Sequence, residues 1–365
     1  MIKVADGKIG TRELTSIILL SLGMKLSDAT PNQLYIGGEN AAWAMPFIFL
    51  ITIGGPFLLL LRLLKKHEKG LIELIYHLNG KYLGLIITSC LFITLFIGVI
   101  ISSRSYISIV NTVFFPEVPV PVLLFFFLFT TFLIAKRGLE VISRAAWLII
   151  PTIEFLFLIL VISVWKEVSF LRIFPIAGPG LKQLAQTSIT HSALFSELIL
   201  LSAFFTFSRS YKSYRLASMI GFIISCIQLA LFLALYVMVF DYPSTIKMAY
   251  PHQQLTRVAE FGESLSHVEG VFFIFWMIGS IIRFSIYLYL VTFLFAGTIR
   301  LEKFEPLIMP ITGFIFIAAL LPDNVFVLIK YREYLFIVSS FILILLPFLL
   351  SAIDWWKGRA KHEST

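Results

Sequence analysis

Along this chain, long apolar runs alternate with short polar connections that carry Lys and Arg. A helix needs about 20 apolar residues to cross the hydrocarbon core of a bilayer. On that rule the pattern predicts ten spans: Arg12–Leu34, Ala41–Leu64, Leu83–Phe114, Val120–Ala135, Val141–Trp165, Thr187–Phe207, Leu216–Phe240, Val268–Ile299, Leu307–Leu321 and Tyr334–Trp355. The fourth and ninth are short; the third and eighth are long enough to tilt or to extend past the membrane. Two spans are interrupted. In the first, Leu14–Leu22 is apolar, but Gly23, Met24, Lys25, Leu26, Ser27, Asp28, Ala29, Thr30 and Pro31 turn polar before the crossing is complete. In the sixth, Ser188, Thr190, His191, Ser192, Ser196 and Glu197 precede the solidly apolar stretch. Backbone released from a helix at membrane depth is costly unless it lines a cavity or binds something. A pair of interrupted segments at corresponding positions of two halves marks the substrate site of a secondary-transporter fold.

Composition agrees with lipid as the solvent. Of 365 residues, 59% are hydrophobic and 14% charged, more apolar surface than a soluble domain of this size can hide. The net charge of +8 changes meaning once its placement is read. With the N-terminus inside, nineteen Lys and Arg fall in inside segments and seven in outside ones, Lys330 and Arg332 among the latter. That bias predicts ten helices with both termini cytoplasmic. It is a topology signal, compatible with contact to anionic membrane lipid, and needs no nucleic acid to explain it. No signal-peptide cleavage pattern precedes Leu14, which begins the first mature helix in this reading. Cys90 and Cys226 lie in apolar runs as small hydrophobes. An even split gives a first five-helix repeat over 1–165, a second over 187–355 and a cytoplasmic tail at 356–365. An odd number of helices per half forces the halves into opposite orientations, so the halves form an inverted repeat with its site at the bilayer midplane. Leu71, Ile72, Leu74, Ile75 and Leu78 recur at near-helical spacing in the loop Lys65–Gly80, the mark of an amphipathic interfacial helix. The connection Asp241–His267 is long enough to be either functional or a solvated external hairpin.

Ten spans, the broken first helix, the run from Leu22 to Pro31, and Asn40-Ala41-Ala42-Trp43-Ala44-Met45-Pro46 together resemble a known family. The chain resembles the B subunit of spore germinant receptors, the endospore germination permeases of the amino acid–polyamine–organocation superfamily. Arg104, Phe115-Pro116, Pro119 and Glu197 extend the resemblance in order along nearly the whole chain. It implies an all-α integral membrane protein with the leucine-transporter fold, a 5+5 inverted repeat with helices 1 and 6 broken. It implies residence in the inner membrane of a dormant spore, and assembly with a large A subunit and a lipoprotein C subunit. It also implies a small germinant, commonly an amino acid, bound between helices 1, 3, 6 and 8. Many members carry Gly-x-Gly at the first break; here Met24 and Lys25 follow Gly23.

The candidate ligand-binding residues follow from the breaks and from the helices that line them. Gly23 is read either as the point where the first helix unwinds, exposing backbone N–H groups with Met24 beside them, or as a close-packing glycine. Lys25 and Asp28 are ionisable at membrane depth, functional by default. They either pair with each other, three apart on one helix face, or lie in a wet vestibule. Ser192, Phe195, Ser196 and Glu197 form the second cluster, where unwinding offers carbonyls and hydroxyls to an ammonium and Glu197 neutralises that ammonium or Lys25. Ser102 and Ser105 mark the third span, and Ser280 and Phe284 the eighth; serines there are ordinarily interhelical glue. Arg283 sits mid-span and needs a carboxylate, with Glu197, Glu154 and Asp28 as candidates. No Walker loop, zinc spacing or Ser-His-Asp constellation stands out, so no enzyme chemistry, cofactor or metal is expected. The alternatives to germinant sensing are a proton-coupled amino acid permease acting alone and a scaffold with a vestigial pocket.

Overall fold

The computed structural model describes residues 7–259, 268–322 and 325–362. Lys3 and residues 260–267 of the long connection lie outside the described residues. The first span comprises α1 (Thr11–Ile18), a π-helical segment (Leu19–Gly23), a 3-10 turn (Met24–Ser27) and α2 (Thr30–Gly38). The second follows a 3-10 turn with α3 (Met45–Thr52) and α4 (Gly54–His67). Single helices make spans three to five: α5 (Leu71–Val113), α6 (Val120–Ala135) and α7 (Leu139–Ser163). The sixth span is α8 (Leu181–His191), a 3-10 turn (Ser192–Phe195), α9 (Glu197–Leu200) and a second 3-10 stretch (Leu201–Phe207). The seventh is α10 (Tyr211–Phe240), followed by loop helices α11 (Tyr242–Thr245) and α12 (Pro251–Val258). The last three spans are α13 (Val268–Thr298), α14 (Ile308–Ala319) and α15 (Val325–His362). Among the described residues there is no β-strand, only one bridge from Ile9 to Ser208.

Local signals explain several boundaries. Pro31, Pro46 and Pro121 sit in the first turns of α2, α3 and α6, where a missing N–H costs nothing. Ser210 caps α10, its hydroxyl accepting the Ser213 N–H at 3.1 Å. Gly80 has φ +73° and ψ −167°, a kink that separates Leu71–Asn79 from the membrane part of α5. The apolar residues of that short segment, Leu71, Ile72, Leu74, Ile75 and Leu78, are buried in the protein core. The segment is amphipathic as its spacing predicts, with its apolar face turned to protein.

The connection between spans five and six is anchored where the halves meet. Gly178 has φ +48°, and a Cβ there would lie 2.8 Å from the Gly38 carbonyl oxygen. Asn40 reinforces the junction by donating to the Arg172 and Phe174 carbonyls at 3.0 and 3.1 Å. In the core of the bundle, α13 packs against α5, α6 and α7, α1 against α10 and α7, and α15 against α5 and α4. Small residues permit these close approaches, as expected where lipid removes the hydrophobic drive between helices. A Cβ on Gly221 of α10 would lie 2.7 Å from Ile18 of α1. On the periphery, Leu148, Phe155, Ile162, Phe314, Phe341 and Phe348 stay exposed, as lipid-facing side chains should.

Both ends of the tenth span differ from the sequence reading. The tenth span begins at Val325, nine residues before Tyr334, so Arg332 belongs to a helix and not to a loop. The same helix continues to His362, through most of the predicted tail.

Candidate functional site

The first helix breaks at Asp28. Gly23 keeps helical dihedrals (φ −67°, ψ −39°), whereas Asp28 is extended (φ −101°, ψ −159°). The cause is local: the Asp28 carboxylate accepts the Thr30 N–H at 2.7 Å, an Asx-type bond that competes with helix continuation. Gly23 is where the π-helical segment passes into the 3-10 turn, and the chain leaves helical dihedrals only at Asp28. A Cβ on Gly23 would lie 3.1 Å from Gln228 Oε1 of α10, so it serves a close helix contact away from the cavity described below. The carbonyls released by the break find partners: Leu26 accepts from the Tyr236 hydroxyl at 2.9 Å, and Ser27 from Gln253 Nε2 at 2.9 Å. Gln253 lies on α12, and Asn32 Nδ2 donates to the Ile246 and Met248 carbonyls at 3.1 and 2.8 Å. The 241–259 part of the long loop is thus folded onto the first-span break. Its His252 is buried at 3.0 Å from the Tyr236 hydroxyl, and burial pushes the imidazole down to about 3.

The sixth span breaks as the sequence predicts, between α8 and α9. Its hydroxyls spend their protons on their own turn and keep only acceptor lone pairs for a ligand. Ser192 donates to the Ile189 carbonyl and Ser196 to the Ala193 carbonyl, both at 2.7 Å. What the break does offer is the Leu194 carbonyl, which accepts from Lys25 Nζ.

An ionic network joins the two breaks to spans eight and ten. Lys25 Nζ lies 3.0 Å from Glu197 Oε1. The other carboxylate oxygen of Glu197 is 2.6 Å from the Tyr287 hydroxyl, which also lies 2.8 Å from the Ser21 carbonyl. Arg283 Nε donates to that hydroxyl at 3.1 Å, and Arg283 Nη1 sits 3.5 Å from Asp28 Oδ2. Arg332 Nη2 is 3.7 Å from Asp28 Oδ1 and donates to Thr30 Oγ1 at 3.0 Å. Three cations face two carboxylates, a net charge of +1 in a buried place. The network borders a cavity of about 60 Å³, room for the centres of several waters. A smaller one of about 10 Å³ adjoins it.

Lys25, Asp28, Ser102, Ser196 and Glu197 line the larger cavity, and Ser105 and Phe284 line the smaller. Met24, Ser192, Phe195 and Ser280 are buried but line neither. Phe195 points the other way, its ring 5.6 Å from that of Phe49 and 6.1 Å from that of Phe222. Met24 packs toward Gly279 of α13. Lys25 and Asp28 do not pair with each other; helix geometry ends between them, and each turns to a different charge. Asp28 is the carboxylate partner of Arg283, whereas Glu154 accepts from Gln228. Two residues of the network escaped the sequence reading. Tyr287 stands four after Arg283, on the same face of α13, a signal that was available. Arg332 is masked by Lys330 and Glu333, which make its neighbourhood resemble a loop.

The arrangement suits an anion better than a metal. Among the described residues no three His, Cys, Asp or Glu converge to hold a metal ion, and the surplus charge is positive.

Comparison with known proteins fits this architecture. Residues 29–327 match the family model described as spore germination protein. No curated protein sequence matches the chain. Among solved structures, the fold is similar to that of the manganese transporter of Eremococcus coleocola. In complex with an aromatic bis-isothiourea substituted compound, that protein gives a TM-score of 0.62 at 15% identity. A mutant of it gives 0.60 at 15% identity. Each comparison covers 96% of this chain and 81% of the other. The likeness shows the fold: all-α, leucine-transporter-like, with the first and sixth helices broken.

Proposed function

The chain belongs to the spore germination protein family, and from that premise we propose that it is the nutrient-binding membrane subunit of a spore germinant receptor. A small germinant, in the first instance an amino acid, enters the cavity between spans one, three, six, eight and ten. Its binding shifts the population of transporter-like conformations, which needs only a difference in affinity between them. A larger A subunit and a lipoprotein C subunit read the shift. The protein resides in the spore inner membrane with both termini on the core side, the orientation that puts its basic connections inside. The observation that carries this reading is the buried ionic network, which ties both broken helices to spans eight and ten beside one small cavity.

Filling the cavity tests it. Gly98 lines the cavity, and a Cβ there would lie 3.6 Å from Leu335 Cδ2, an ordinary contact. Spores carrying Gly98→Ala should therefore germinate normally. Those carrying Gly98→Leu should lose the nutrient response at unchanged protein abundance. A normal response in both would overturn the assignment of the cavity. The transporter-like fold supports a second reading, a proton-coupled amino acid permease acting alone. Recovery without companions from gently solubilised spore membrane, together with uptake in proteoliposomes, would favour it.

A further inference from the structure

We propose that the ligand of this cavity is a small organic carboxylate that needs no amino group, because Lys25 already fills the ammonium position. The inference rests on the reading of the cavity as a ligand site. The cation-receptive groups of the sixth-span break that face the first span are the Leu194 carbonyl and the Glu197 carboxylate. Lys25 Nζ takes both, donating to the carbonyl and lying 3.0 Å from Glu197 Oε1, with its side chain 5% exposed. The second oxygen of Glu197 is taken by the Tyr287 hydroxyl at 2.6 Å. An incoming ammonium would meet a like charge there. It would also have to displace an amine that is covalently tethered beside the acceptors, and so present at a high effective concentration.

The rest of the cavity asks for the opposite charge. Arg283 and Arg332 share one carboxylate, Asp28, through contacts at the long end of the range, 3.5 and 3.7 Å. A guanidinium has five donors in a planar fork matched to a carboxylate, so two of them sharing Asp28 keep donors to spare for a second carboxylate. A monoanion would also cancel the surplus of one positive charge. Val99, Ile101, Leu335 and Phe336 give the same cavity an apolar side, suited to a short alkyl chain.

The test is a ligand panel on the purified full-length chain in detergent, read as the shift of its thermal midpoint. L-Lactate and propionate should raise the midpoint at least as far as L-alanine, and L-alaninamide, which has the ammonium but no carboxylate, should leave it unmoved. Arg332→Gln should abolish the lactate shift. Lys25→Ala should open the ammonium position and improve L-alanine relative to L-lactate by about tenfold or more, the weight of one charge-assisted hydrogen bond. If L-alanine or L-alaninamide stabilises while lactate and propionate do not, the carboxylate proposal fails and the cavity remains a ligand site. If nothing in the panel moves the midpoint, both fail. The wild-type panel decides between these even where a variant does not fold.

Discussion

Replacing Asp28 with Asn would leave Arg283 and Arg332 facing each other without the carboxylate they share. At 3.5 and 3.7 Å, each guanidinium gains roughly 4–5 kcal/mol of gross attraction from Asp28 at an effective dielectric of about 20. Most of that offsets the desolvation of the three groups, so the pairs add little net stability when intact. Removing only the anion is different, because the desolvated cations remain; such changes cost about 3–5 kcal/mol. Asparagine keeps an oxygen for the Thr30 N–H, so the turn at the break survives and the loss reports charge. The assay is thermal unfolding of the purified protein in one detergent, followed by near-ultraviolet circular dichroism. Asp28→Asn should lower the midpoint markedly, and the double variant Asp28→Asn with Arg332→Gln should recover part of the loss. A residual coupling of about 1–3 kcal/mol between the two sites would fit residues in one ionic network. If the double variant is as unstable as the sum of the two singles, the charges do not balance each other and the reasoning fails.

Three other perturbations probe separate parts of the structure. Tyr287→Phe removes the hydroxyl shared by Arg283, Glu197 and the Ser21 carbonyl, and should cost about 1–3 kcal/mol in the same thermal assay; no change would place these groups on water instead. Gly178→Ala puts a Cβ at 2.8 Å from the Gly38 carbonyl at a positive φ, and should reduce folded yield more than Gly313→Ala, whose Cβ would meet nothing within 4 Å at an ordinary φ; equal yields would contradict the strain at Gly178. His252 is held neutral well below its ordinary range, whereas the unfolded chain binds a proton near pH 6.5. Stability should therefore be full above that pH and fall as pH drops from about 6.5 toward 3, and His252→Gln should flatten the fall; an unchanged slope would exclude His252 as its source.

The sequence exposed what depends on local composition. Ten spans, the sixth-helix break and the amphipathic segment after Gly70 all follow from apolar run lengths and from polar residues placed inside them. Lys25, Asp28 and Glu197 stood out because charge at membrane depth is rare. What the sequence hid depends on competition at short range or on pairing at long range. Gly23 drew the eye as the flexible residue, yet the Asp28 side chain ends the helix by capturing the Thr30 N–H. Ser192 and Ser196 stood out as acceptors for a ligand ammonium; each returns its proton to a carbonyl of its own turn and keeps its lone pairs, and of the two Ser196 alone lines the larger cavity. The pairing of Asp28 with Arg332 joins opposite ends of the chain, and no periodicity announces it. That a loop residue's amide, Gln253, would satisfy a carbonyl freed in the first span was equally invisible.

The tenth helix acquires a mechanical meaning from its two ends. Arg332 holds Asp28 and Thr30 at one level, and Asp354 holds Lys66 and His67 at another, at 2.7 and 2.9 Å. The two anchors are separated by 22 residues of one helix, about 33 Å at 1.5 Å per residue. A ligand that drew Arg332 away from Asp28 would release one end of this rod while the other stayed clamped to α4. Pro347 lies between them, where the lost backbone bond gives the rod a place to flex. Rotation started in the middle of the protein would then arrive at its basic face as a sideways displacement of the segment beyond Asp354.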